Sequence, residues 1–66
     1  MKIILNGEVT QIDDNSTVLK VLQKYNLDPE LTVVEINLTI LKKEQFNTFF
    51  VKENDKIELI RFMGGG

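Results

Sequence analysis

The apolar residues of the chain come in short runs, and their spacing changes from that of a strand to that of a helix and back. Lys2 to Leu5 is a β-branched run that places Met1, Ile3 and Leu5 on one side and Lys2, Ile4 and Asn6 on the other. After Asn6-Gly7 the run Val9-Thr10-Gln11-Ile12 follows. Asn-Gly between two such runs predicts a hairpin, because both residues accept the φ > 0 of a type I′ turn. Ile4 is then an apolar residue on a polar face. From Val18 the period lengthens: Val18, Val21, Leu22 and Tyr25 recur at i, i+3, i+4 and i+7, one face of an amphipathic helix with Leu19 at its margin. Thr17 is the expected N-cap, and Asp13 and Asp14 ahead of it suit the positive end of the helix dipole. Asn26 is expected to close the helix in the left-handed conformation, and Pro29 prevents its continuation.

The second half of the chain returns to strand spacing. Leu31 to Ile36 predicts a third strand, buried or nearly so on both sides, with Val34 and Ile36 on one face and Val33 and Glu35 on the other. Its direction is left open by the pattern. Leu38 to Leu41 fits a short edge strand and Lys42 to Phe46 one helical turn. Phe46, Phe49 and Phe50 are expected to plug the core beneath that loop; a base-stacking platform is the weaker reading, because basic residues are sparse. Lys52 to Asp55 is a turn. Lys56 to Phe62 forms the last strand, with Ile57, Leu59 and Arg61 facing one way and Glu58, Ile60 and Phe62 the other. Ile60 and Phe62 on the outer face, joined by Ile4, are an expected docking surface. This order of elements predicts an α+β fold, a mixed sheet of four or five strands wrapped on one main helix, with the first and last strands side by side in the centre. That arrangement is the β-grasp, or ubiquitin-like, roll.

Composition narrows the function. Sixty-six residues make a single domain, residues 1–66, and a chain of this size buries only about 60% of the surface its unfolded form exposes. With no cysteine or histidine, the chain lacks a disulfide, a Cys/His metal site, a thiol nucleophile and the usual proton shuttle. No metal site is expected. Asp13 and Asp14 read as capping and solvated residues rather than paired carboxylates for catalysis. Eight Lys/Arg stand against ten Asp/Glu, scattered except for Lys42-Lys43, so nucleic acid is not an expected partner. No run approaches the ~20 apolar residues of a membrane span. The expectation is a soluble cytoplasmic protein, monomeric when free.

The closing stretch Arg61-Phe62-Met63-Gly64-Gly65-Gly66 supplies the remaining chemistry. Residues 63–66 are expected to form a flexible tail reaching roughly 13 Å at about 3.4 Å per residue. Glycine has no Cβ, so Gly64, Gly65 and Gly66 suit a narrow slot in another protein and would deliver the carboxylate of Gly66 there. Met63 joins Ile60 and Phe62 at the exit as a candidate partner contact.

Over its whole length the chain resembles the sulfur-carrier family of thiamine (thiazole) biosynthesis. The resemblance is carried by Lys2-Ile3-Ile4-Leu5-Asn6-Gly7, Thr17-Val18-Leu19, Val33-Val34-Glu35-Ile36-Asn37, Asn54-Asp55-Lys56-Ile57-Glu58-Leu59-Ile60 and the final Gly65-Gly66. Two turns depart from the family pattern: Asn37-Leu38 stands where Asn-Gly is usual, and Asn54-Asp55 where Gly-Asp is usual.

The resemblance implies a carrier, not an enzyme. An adenylyltransferase related to the ubiquitin-activating class would adenylate the Gly66 carboxylate with ATP, a persulfide protein would donate sulfur, and the thiocarboxylate would pass to thiazole synthase. The carrier itself needs no cofactor. Alternatives are the small subunit of molybdopterin synthase, a ubiquitin-like modifier, and a plain β-grasp interaction module with incidental glycines.

Overall fold

The computed structural model describes residues 1–62; the predicted tail, 63–66, lies outside the described residues. Asn6 (φ 48°) and Gly7 (φ 83°) both occupy the left-handed region, so the chain reverses sharply after the first strand. This joins β1 (Lys2–Leu5) to an antiparallel β2 (Glu8–Gln11), with Ile4 opposite Val9. Helix α1 (Val18–Lys24) then crosses one face of the sheet. Its start is capped as expected: the Lys20 N–H donates to Thr17 Oγ1 at 3.1 Å. Its end is a Schellman closure, in which Asn26 (φ 56°) donates to the Gln23 carbonyl and Leu27 to the Leu22 carbonyl.

Pro29–Leu31 forms a 3₁₀ turn and delivers the chain to β3 (Thr32–Ile36), which pairs with an edge strand β4 (Thr39–Leu41). A second 3₁₀ turn, Lys43–Gln45, precedes the last strand, β5 (Lys56–Arg61). The sheet order is β2-β1-β5-β3-β4, with β1 and β5 parallel in the middle and the other neighbours antiparallel. This is the β-grasp roll expected from the order of elements, and it sets β3 antiparallel to β5.

Alternation decides what enters the core. Ile3, Val34, Ile36 and Ile57 point from the sheet onto Val18, Val21 and Leu22 of the helix, all of them buried. Phe46 closes the core beneath the long β4–β5 connection, with Phe49 partly buried against it. Within the described residues no helix is long and apolar enough to cross a membrane.

Four expectations need correction. Phe50 is 55% exposed rather than packed inside; its backbone bridges to Thr17 at the helix start, and its ring is left outside. Tyr25 lies at the C-cap, just past a seven-residue helix, and is exposed. Lys24 Nζ stands 5.8 Å from its ring centroid. The third strand is buried on one face only: Val33 and Glu35 are half-exposed because α1 covers the opposite face. Asp14 serves the chain start rather than the helix dipole, its carboxylate lying 3.1 Å from the α-ammonium of Met1; the first helical turn holds no acidic residue.

The two unusual turns differ in their backbone chemistry. Asn54 takes φ 69°, which asparagine tolerates well. Asn37 and Leu38 take φ 49° and 73°, and a leucine there carries a steric cost of about 1–2 kcal/mol. The turn is held by side chains: Asn37 Nδ2 donates to Asp55 Oδ1 at 3.1 Å, and Asn37 Oδ1 accepts from the Lys56 N–H at 3.0 Å.

Candidate functional site: the open sheet face and the root of the tail

Strand β5 runs past the end of its neighbour. Strand β1 last pairs at Leu5, opposite Ile57, so the rest of β5 has a partner strand on the β3 side alone. A side chain fills the gap. Asn6 Oδ1 accepts from the Leu59 N–H at 2.8 Å, continuing the ladder with an amide oxygen where the hairpin has already turned away. One residue beyond β5, the Phe62 N–H donates to the Leu31 carbonyl at 2.8 Å. The backbone is therefore hydrogen-bonded up to the residue before Met63.

The face of the sheet away from α1 is open. Ile60 and Phe62 are 47% and 57% exposed, the expected docking residues at the tail end of this face. Ile4 shares the face but is not beside them. Its partners are Val9 on β2 and Lys56 on β5, and Lys56 stands four residues before Ile60, about 13 Å along the strand. Met63, Gly64, Gly65 and Gly66 lie outside the described residues.

Register brings other residues to Ile60 that pattern reading did not group with it. Val33 lies directly opposite, and Glu35, opposite Glu58, leads on to Ile40 of β4. Alternation within each strand contains half of this arrangement, since Ile40 must face outward if Leu41 faces the core. The other half needs the pairing of β3 with β5.

The described part of the molecule contains no group of His, Cys, Asp and Glu arranged to hold a metal ion. One groove among the described residues, about 460 Å³, has Ile12, Asp13, Ser16, Lys20, Val21 and Lys24 in its lining. Asp13 there is a loop residue rather than a catalytic partner: its carbonyl accepts from Ser16 Oγ at 2.6 Å, and its carboxylate lies 4.0 Å from Lys20 Nζ. What the sheet offers on its open face is exposed apolar area, with Phe62, the last described residue, at one end.

The model of the ThiS family matches residues 3–66, running through the terminal glycines. The chain belongs to the ThiS family. Among relatives of this ThiS-family chain, the sulfur carrier protein ThiS of Bacillus subtilis is 35% identical over 63 residues, covering 94% of this chain and 96% of that protein. The thiazole synthases of Paramagnetospirillum magneticum and Magnetococcus marinus are 35% and 33% identical over 66 residues. The chain spans only 20% of the length of each, aligning with all of its own residues. Among solved structures, the thiamine biosynthesis protein ThiS of Geobacter metallireducens superposes with a TM-score of 0.84 at 32% identity, covering 100% of both chains. The ThiS-family fold thus accounts for every strand and for the helix described above.

Proposed function

We propose that this ThiS-family chain is a sulfur carrier of thiamine biosynthesis, a protein co-substrate rather than a catalyst, with the Gly66 carboxylate as its working group. The observation that carries this reading is a family match extending through Gly66, on a fold whose last strand ends at an open face. A carboxylate is a poor electrophile. Attack by its oxygen on the α-phosphorus of ATP, with loss of pyrophosphate, gives a mixed anhydride whose AMP is a good leaving group. A persulfide sulfur then attacks the acyl carbon and displaces AMP, forming a C–S bond to an acyl disulfide. A thiol cleaves the S–S bond that the persulfide brought, leaving a thiocarboxylate on the carrier and a disulfide on the donor side. The base, metal and ATP site for these steps belong to a ubiquitin-activating-like adenylyltransferase, and the sulfur to a persulfide donor. Bare glycines admit the end of the chain to a narrow slot that can keep water from the activated acyl group.

The acceptor in this reading is thiazole synthase. Support comes from the two relatives of that name, each of which contains a segment similar to the whole of this chain. That favours the thiazole branch over molybdopterin synthase or a ubiquitin-like modifier. Ile60 and Phe62 are proposed as partner contacts on the way to both active sites, together with Met63, while Ile4 is a contact of the more distant half of the face.

Intact-mass measurement tests the reading. Incubation with the adenylating enzyme, ATP and a persulfide donor should exchange one oxygen of the wild-type carrier for sulfur, and a variant lacking Gly66 should show no exchange. An unchanged wild-type mass with an enzyme that loads its own carrier would favour an interaction module instead.

A further inference from the structure

On its β5–β3–β4 side the open face holds Ile60, Val33 and Ile40, and among them two carboxylates stand directly opposite each other, Glu58 on β5 and Glu35 on β3. Opposed residues on neighbouring strands have Cβ atoms about 5 Å apart, and like charges so placed destabilise the sheet. Among the described residues no ion pair includes either of them: the pairs are Met1–Asp14, Lys20–Asp13 and Lys43–Glu30, none of which includes Lys56 either. Two adjacent carboxylates inside an apolar frame suit one guanidinium, whose planar fork donates to both through separate N–H groups. Once the frame is covered the bonds are shielded from water, where charge-assisted contacts are strongest.

Chain length sets how close a partner that holds Gly66 must come. Gly66 lies four residues beyond Phe62, so its carboxylate is held within roughly 14 Å of the end of the sheet. A protein that grips Gly66 must therefore cover the Phe62 end, and Glu58 is a further four residues, about 13 Å, back along β5. Resting on the carrier reading above, we propose that this half of the open face seats the adenylating partner, which presents an arginine to Glu35 and Glu58 from within an apolar patch. The Ile4–Val9 half, beyond Lys56, is outside this seat.

Calorimetric binding of the full-length carrier to its adenylating enzyme, at low and high salt, tests the proposal with Glu35→Gln and Glu58→Gln. Each variant should bind about tenfold more weakly at low salt, with a shallower salt dependence, because a charge-assisted bond is lost. The thermal midpoint of each should stay level or rise, because repulsion within the sheet is removed. Affinity within about twofold of wild type in both variants would overturn the seat. A midpoint that falls in step with affinity would overturn it too, since the pair would then support the fold. Pyrophosphate release by the wild type reads the carrier function separately. Its absence overturns that reading, whereas normal release with unimpaired variants overturns only the acidic seat.

Discussion

The two faces of one sheet have the same backbone and opposite destinies. On the inner face Ile3, Val34 and Ile57 are almost wholly buried against Val18, Val21 and Leu22. On the outer face Ile40, Ile60 and Phe62 keep about half or more of their surface in water. The residue types overlap, so hydrophobicity does not separate the faces. What separates them is the single helix, which has one apolar stripe and can cover one side. The inner face supplies the stability of a small domain, and the outer face is left with apolar area available to a partner. Such a division suits the proposed carrier role, in which this chain would supply the carboxylate and other proteins the catalytic groups.

Substitutions sharpen the contrast in order of size. Leu22→Ala removes a fully buried side chain from the helix and should cost about 3–4 kcal/mol in chemical denaturation, leaving little of a small domain's stability. A cost near that of a surface change would mean that the helix-side core is not what holds the roll together. Asn6→Ala deletes the acceptor for Leu59 and places alanine at φ 48°, with an expected loss of about 1–2 kcal/mol. Faster amide exchange at Leu59 should accompany it, and unaltered exchange would remove the bracing role given to Asn6. Leu38→Gly should move the other way. Relief of the left-handed strain exceeds the entropy that glycine loses, for a gain of about 0.5–1 kcal/mol; a destabilised variant would show that the exposed leucine has a structural role. Ile40→Ser, on the open face, should shift stability by less than about 0.5 kcal/mol, and a core-sized loss there would erase the distinction between the faces.

Most of the architecture was legible in the sequence because its punctuation is local. Asn6-Gly7, Thr17, Asn26 and Asn54 act through their own backbone angles or a hydrogen bond within a few residues, and each does in the structure what its chemistry predicts. The exposed aromatics were harder. Phe46, Phe49 and Phe50 are equally apolar and close in sequence, but only a path bound to the helix start by the Thr17–Phe50 bridge decides which ring turns outward. Tyr25 continues the helical period on paper, while the helix stops one residue short of it. For the candidate site, Ile60 and Phe62 were readable from alternation along β5. Their neighbours Val33, Glu35 and Ile40 were not, because those belong to other strands.

By itself the sequence determined the kinds and order of the elements, most of their caps and turns, and the core-facing side of β1 and β5, since all of these depend on interactions within a few residues. Only the tertiary structure decided the direction of β3, the opposition of Glu35 to Glu58, and the 13 Å or so between Ile4 and Ile60. Those depend on which strands meet and in what register. A slip of two residues would keep every side chain on its face while changing every neighbour, so alternation cannot specify it.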